Sequence, residues 1–99
     1  MINLERIVGF EWDEGNARKN ENHGVSQSEA EQVFFDSRLL VVPDVRHSQA
    51  EPRVHALGAT IEGRLLHVRF MLRVEMTHIR VISARDAHRK ERRIYESQS

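Results

Sequence analysis

The run from Arg64 to Arg73 constrains the fold more than any other stretch. Leu66, Val68, Phe70 and Leu72 fall on one face by the two-residue period of a strand, and Leu65, His67, Arg69, Met71 and Arg73 fall on the other. That is the pattern of a half-buried antiparallel strand with cations on its open side. Glu62-Gly63 just before it is a tight-turn dipeptide, so the run pairs with Arg53–Thr60 as a hairpin. Register matters here, because a slip of one residue exchanges the two faces.

The remaining segments supply layers for this sheet. Ile7 to Trp12 predicts a first strand with Phe10 and Trp12 on one face. Glu14 to Asn22 is polar and predicts a weak helix ended by His23-Gly24. Ser26-Gln27-Ser28-Glu29 has the form of a capping box, and Ala30, Val33 and Phe34 follow at helical spacing. Phe34 and Phe35 are both expected in the core. Leu39 to Val42 predicts a buried strand ended by Pro43, and Asp44 to Pro52 a polar loop. Gly58 allows a bulge or a close approach. After a turn at Val74 to Thr77, Ile79, Val81 and Ser83 alternate with His78, Arg80 and Ile82. Asp86 is expected to cap a last helix with Ala87, Ile94 and Tyr95 inward. The order β-α-α-β-β-β-β-α predicts an α+β fold with one twisted antiparallel sheet and helices on one face. At 99 residues, with no linker or repeat, the chain reads as one domain.

Charge separates the chain into two parts. Residues 64–99 hold nine Lys+Arg against four Asp+Glu, while residues 1–63 hold six against eleven. Such asymmetry suggests a polyanion-binding face. The plainer alternative is that the acidic part folds onto the basic part and neutralises it. Arginine outnumbers lysine 13 to 2, which favours bidentate contacts with phosphate. The absence of cysteine excludes a disulfide framework, a thiol nucleophile and a cysteine-based zinc site. No apolar run approaches a membrane span, and the N-terminus does not read as a signal peptide, so a cytoplasmic location is expected.

No phosphate-cradling glycine loop, Ser-His-Asp pattern or H-E-x-x-H helix is present, and no cofactor or metal is expected. The loop holding Asp44, Arg46, His47, Ser48, Glu51 and Arg53 packs acids, an imidazole and guanidiniums into a few residues. Cutting RNA without a metal needs those parts. A base takes the 2′-hydroxyl proton, a cation holds the dianionic transition state, and an acid protonates the leaving oxygen. An ordinary polar loop with local ion pairs has the same composition. His55, His67 and His78 read as packed or solvated strand residues.

Several ordered segments resemble the BrnT family of toxins from type II toxin–antitoxin systems. They are Phe10 to Asn16 with Arg18-Lys19-Asn20, His23 to Ser26 with Glu29 to Phe34, and Asp44, His47, Ser48, Glu51 and Arg53. Gly63, Arg64, Leu66 and Val68 continue the series, followed by Ile79 to Arg85, Ala87, Glu91, Arg92 and Tyr95. The resemblance implies a RelE-like fold and a ribonuclease that blocks translation. It implies RNA as substrate and a BrnA-like ribbon-helix-helix antitoxin as partner, with operator DNA reached only through the antitoxin. By resemblance, His47 and Glu51 would move protons and Arg53 would orient them. Arg64, Arg73, Arg80 and Arg85 would bind phosphate, and Tyr95 would stack on a base. One departure stands out: Asn20-Glu21-Asn22-His23 is a residue shorter than the family pattern, and Asn22 replaces its lysine. The alternative from a different class is a non-catalytic module that binds the antitoxin and represses its own operon with it.

Overall fold

In the computed structural model a five-stranded sheet, in the order β1-β5-β4-β3-β2, carries the fold. Residues 4–15, 23–43, 53–73 and 75–98 are described, with backbone alone at Leu4, Pro43 and Arg53. The strands are β1 (Gly9–Glu11), β2 (Leu40–Pro43), β3 (Arg53–Ala59), β4 (Leu65–Arg73) and β5 (His78–Asp86). The helices are α1 (Gln27–Gln32), continued by a 3-10 turn at Val33–Phe35, and α2 (Arg89–Glu96). The α+β architecture and the element order are those expected. Glu14 and Gly15 begin the first predicted helix, and 16–22 lie outside the described residues, as do the whole Asp44–Pro52 loop and Val74 of the turn after β4.

The sheet is mixed rather than wholly antiparallel. β2 to β5 form an antiparallel meander, but β1 adds to the edge of β5 in parallel, with Phe10 opposite Ile79. A long segment separates β1 from β5, so no hairpin forces them antiparallel. Phe10 and Trp12 both pack against the core, as their spacing implied.

The predicted faces of β4 hold. Leu66, Val68 and Phe70 are wholly buried beneath α1, with Val54 and Ala56 of β3 and Val33 and Phe34 beside them. Burying each such large side chain contributes about 1.5–3 kcal/mol. The Phe34 and Phe70 rings meet edge to face at 4.9 Å between centroids. Phe35, also expected inside, is 79% exposed. Adjacent residues of the 3-10 turn diverge, and Phe34 takes the inward place.

The capping box forms as expected. Ser26 Oγ accepts from Glu29 N at 3.0 Å, and Ser26 N donates to Glu29 Oε1 at 3.0 Å. Asp36 then stops the helical run and accepts from Arg38 N at 2.9 Å and Ala59 N at 2.8 Å.

Helices cover both faces, not one. α2 lies across the far end of the other face, where Tyr95 packs with Leu57, Leu65, Leu40, Ala59 and Ala87. The helix also starts later than expected. Asp86 ends β5, because Ala87 N still bonds Leu65 O at 3.0 Å and continues the ladder. His88 occupies the N-cap position, and its amide donates to Glu91 Oε1 at 2.8 Å. Ile94 is exposed rather than inward. Among the described residues, no helix is long and apolar enough to cross a membrane.

Candidate nucleic-acid interface

A bulge decides what the open sheet face presents. β5 pairs Val81 with Phe70 and Ser83 with Arg69, so Ile82 has no opposite residue on β4. Simple alternation would have turned Ser83 and Arg85 toward the core with Ile79 and Val81. The extra residue reverses the phase. Ala84 becomes the wholly buried residue, and Arg85 stands opposite His67.

Three cross-strand rows therefore order the open face. The first joins Leu57, His67 and Arg85, and the second joins His55, Arg69 and Ser83. A third joins the backbone of Arg53 to Met71 and Arg80, with Glu11 of β1 opposite Arg80.

Around the first two rows His23, His55, His67, Arg69, Ser83, Ala84 and Arg85 line a concavity of about 330 Å³. His55 Nδ1 lies 2.7 Å from His67 Nε2. Glu91 of α2 holds Arg85 bidentately at 2.8 and 3.0 Å and lies 3.8 Å from His67 Nε2. Burial, and then the charge of Arg85, hold His67 down at about 4, with Glu91 opposing and His55 and Arg69 reinforcing. Burial raises the Glu91 carboxyl, but hydrogen bonds from Arg85 and the His88 amide outweigh it and leave Glu91 at about 2. His67 is thus neutral and Glu91 ionised near neutral pH. A second concavity, about 280 Å³ between Ile7, Val8, Phe10, Phe34, Phe35 and Ile79, has an apolar lining suited to packing rather than to chemistry.

The residues expected to bind phosphate divide by location. Arg73, Arg80 and Arg85 share the open face, but each is paired. Arg73 Nε is 3.6 Å from Glu11, Arg80 is 2.9 Å from Asp13, and Arg85 is held by Glu91. Arg64 lies on the opposite face. It joins Asp86 at 2.7 Å, Glu29 at 3.0 Å and the Gly24 carbonyl at 2.8 Å. Hydrogen bonding to Asp86 and Glu29 raises its already high pKa. The guanidinium in turn lowers both carboxyls, secondarily to the Ser26 amide in the case of Glu29. This is the position of a brace between α1 and β5. Neutralisation of the basic part by the acidic part thus operates at Arg64, Arg73 and Arg80.

Tyr95 is 8% exposed, and its hydroxyl donates to Asp36 at 2.5 Å. Burial and then Asp36 raise its pKa. Burial pushes Asp36 up, but the Tyr95, Ala59 and Arg38 hydrogen bonds hold it below the usual range. With the Arg38 guanidinium 5.2 Å from the ring centroid, Tyr95 occupies a structural position rather than a stacking platform. His47 and Glu51 lie outside the described residues, and Arg53 is placed by its backbone alone.

His55, His67 and Arg69 are the candidates that sequence reasoning passed over. Their shared face was visible in the alternation, but the cross-strand contact of the two imidazoles was not. Among the described residues no group of three or more His, Asp or Glu is arranged to hold a metal ion.

Comparison with known proteins bears on the family and the fold. Residues 12–91 match the family described as the ribonuclease toxin BrnT of type II toxin-antitoxin systems. The crystal structure of the Brucella abortus ribonuclease toxin BrnT matches at 25% identity with a TM-score of 0.63, over 83% of this chain and 99% of that one. No curated protein matches the chain. With its fold and most of its length accounted for in this way, the chain belongs to the BrnT family of ribonuclease toxins of type II toxin–antitoxin systems.

Proposed function

We propose that the chain is an endoribonuclease that needs no metal ion, arrests translation and growth, and is neutralised by a BrnA-like antitoxin. The observation that supports this most is the open sheet face, which gathers Arg69, Arg73, Arg80 and Arg85 with two histidines in contact. Guanidiniums there can hold the charge that develops on a phosphoryl group. His47 and Glu51 carry the proton transfers in this reading. Arg53 orients them from the row it shares with Met71 and Arg80, where the chain enters β3. RNA as substrate places the protein in the cytoplasm.

The antitoxin would be a ribbon-helix-helix protein whose acidic segment covers the basic face, and operator DNA would be met through it. Purified protein should cleave RNA equally with and without a chelator. Loss of all cleavage on adding chelator would remove metal independence, and no cleavage in either condition would remove the enzyme.

One observation favours the second reading, a non-catalytic module that represses its operon with the antitoxin. The pairing of Arg73 with Glu11 and of Arg80 with Asp13 reduces the charge available to RNA. Induction of the chain alone separates the two. Growth arrest with RNA cleavage supports the enzyme; tight antitoxin binding without arrest supports the module.

A further inference from the structure

Among the described residues two buried polar atoms on the open face have no hydrogen-bond partner, His67 Nδ1 and Arg69 Nε. They belong to alternate residues of β4, and both residues line the concavity with His23, His55, Ser83 and Arg85. His67 is 9% exposed, so bulk solvent does not complete it. Buried polar groups are nearly always paired, and two orphans on residues that line one concavity point to a ligand there.

The lining gives the chemistry of that ligand. Among the described residues three imidazoles, two guanidiniums and one hydroxyl line it, and no carboxylate does. The acid facing His67 is Glu91, already held at both oxygens by Arg85. The other charged or titratable groups around His67 are His55 from β3, Arg69 from its own strand and Arg85 from β5. A cation would be repelled, whereas guanidinium and imidazole donors suit phosphate oxygens. Glu91 near His67 Nε2 favours a proton on that nitrogen. With that proton shared toward His55 Nδ1, His67 Nδ1 is the nitrogen left to take up a second one.

We propose that this concavity binds one phosphodiester of the RNA substrate, with Arg69 Nε and, once it is protonated, His67 Nδ1 donating to its non-bridging oxygens. This rests on the ribonuclease reading above and adds to it a binding site on β3, β4 and β5. Burial, and then the charge of Arg85, keep the proton off His67 when the concavity is empty. The negative charge of a bound phosphodiester offsets that of the guanidiniums and raises the affinity of His67 for a proton. His23 lies at the rim of the same site.

The test follows the histidine ring signals of the full chain by NMR across pH. Three samples are compared: protein alone, with inorganic phosphate, and with a 2′-deoxy dinucleotide, whose phosphodiester has no 2′-hydroxyl to attack it. The dinucleotide is expected to raise the His67 pKa by about one unit or more. Arg69→Gln should weaken dinucleotide binding about tenfold. Should that variant fail to fold, Ser83→Asp, which puts an anion in the concavity, should abolish the response. An unmoved His67, a response to inorganic phosphate alone, or an undiminished response in a folded variant overturns the proposal. Cleavage assays on the same preparation keep the two ideas apart. Cleavage without a dinucleotide response removes the site and leaves the ribonuclease; a response without cleavage does the reverse.

Discussion

Gly58 and Val33 approach so closely that a β-carbon on Gly58 would lie 2.7 Å from Val33 Cγ1 and 2.9 Å from the Val33 carbonyl oxygen. The contact brings the Val33–Phe35 turn down onto β3 and seats Val33 and Phe34 in the core. Backbone cannot yield as a flexible side chain can. Gly58→Ala should therefore destabilise the fold by about 1–3 kcal/mol. A urea titration should show a lower midpoint at an unchanged slope.

The Tyr95 hydroxyl ties α2 to the turn after Val33–Phe35 through Asp36. Tyr95→Phe should cost about 1–3 kcal/mol, because a charged acceptor loses its donor. Asp36 keeps the Ala59 and Arg38 amides, so its carboxyl should titrate higher but still as part of the fold. Carboxyl NMR of Asp36 beside thermal unfolding would check both effects.

Acid should unfold the protein in two stages. His67 falls from 6.5 to about 4 on folding, so the unfolded chain binds its proton more readily. Stability from this group is complete above pH 6.5 and is lost as pH falls toward 4. Glu91, lowered from 4.5 to about 2, adds stability that is complete above 4.5 and is lost as pH falls toward 2. His67→Gln should remove the upper stage and leave the lower one, as read from denaturant midpoints measured across pH.

Arg80→Ala should slow RNA cleavage by about a hundredfold, if its charge faces the phosphoryl group. His47→Ala should slow it by about 10²–10⁴-fold, if it moves a proton. Both should relieve growth arrest, with unfolding midpoints close to that of the parent chain. Unchanged toxicity in both folded variants would remove them from the site. Arg64→Gln should act differently. It frees Asp86 and Glu29 from their brace and should lower stability by about 1 kcal/mol, since the cluster is partly solvated.

Glu75 and Met76 both have left-handed backbone, at φ 55° and 68°, in the turn between β4 and β5. Met76→Gly should raise stability by about 1 kcal/mol by removing the β-carbon clash of that conformation.

What neighbours along the chain decide is legible in the amino-acid order alone. The faces of β4, the Ser26–Glu29 capping box and the Glu62-Gly63 turn follow from spacing and residue type, and Gly58 reads as a bulge or a close approach, of which the fold takes the second. Each depends on a few adjacent residues. The strand order, the parallel entry of β1 and the side taken by α2 depend on residues far apart in sequence, and local periodicity is silent on them. The open face shows the difference most clearly. Alternation along β4 put His67 and Arg69 there, because a strand has only two sides. The bulge at Ile82 brought Arg85 beside them, and the β3 register brought His55 within hydrogen-bonding distance of His67. The same tertiary contacts gave Arg64 and Tyr95 bracing positions. A side chain that reads as a free cation or aromatic in sequence takes its role from the partner that folding places opposite it.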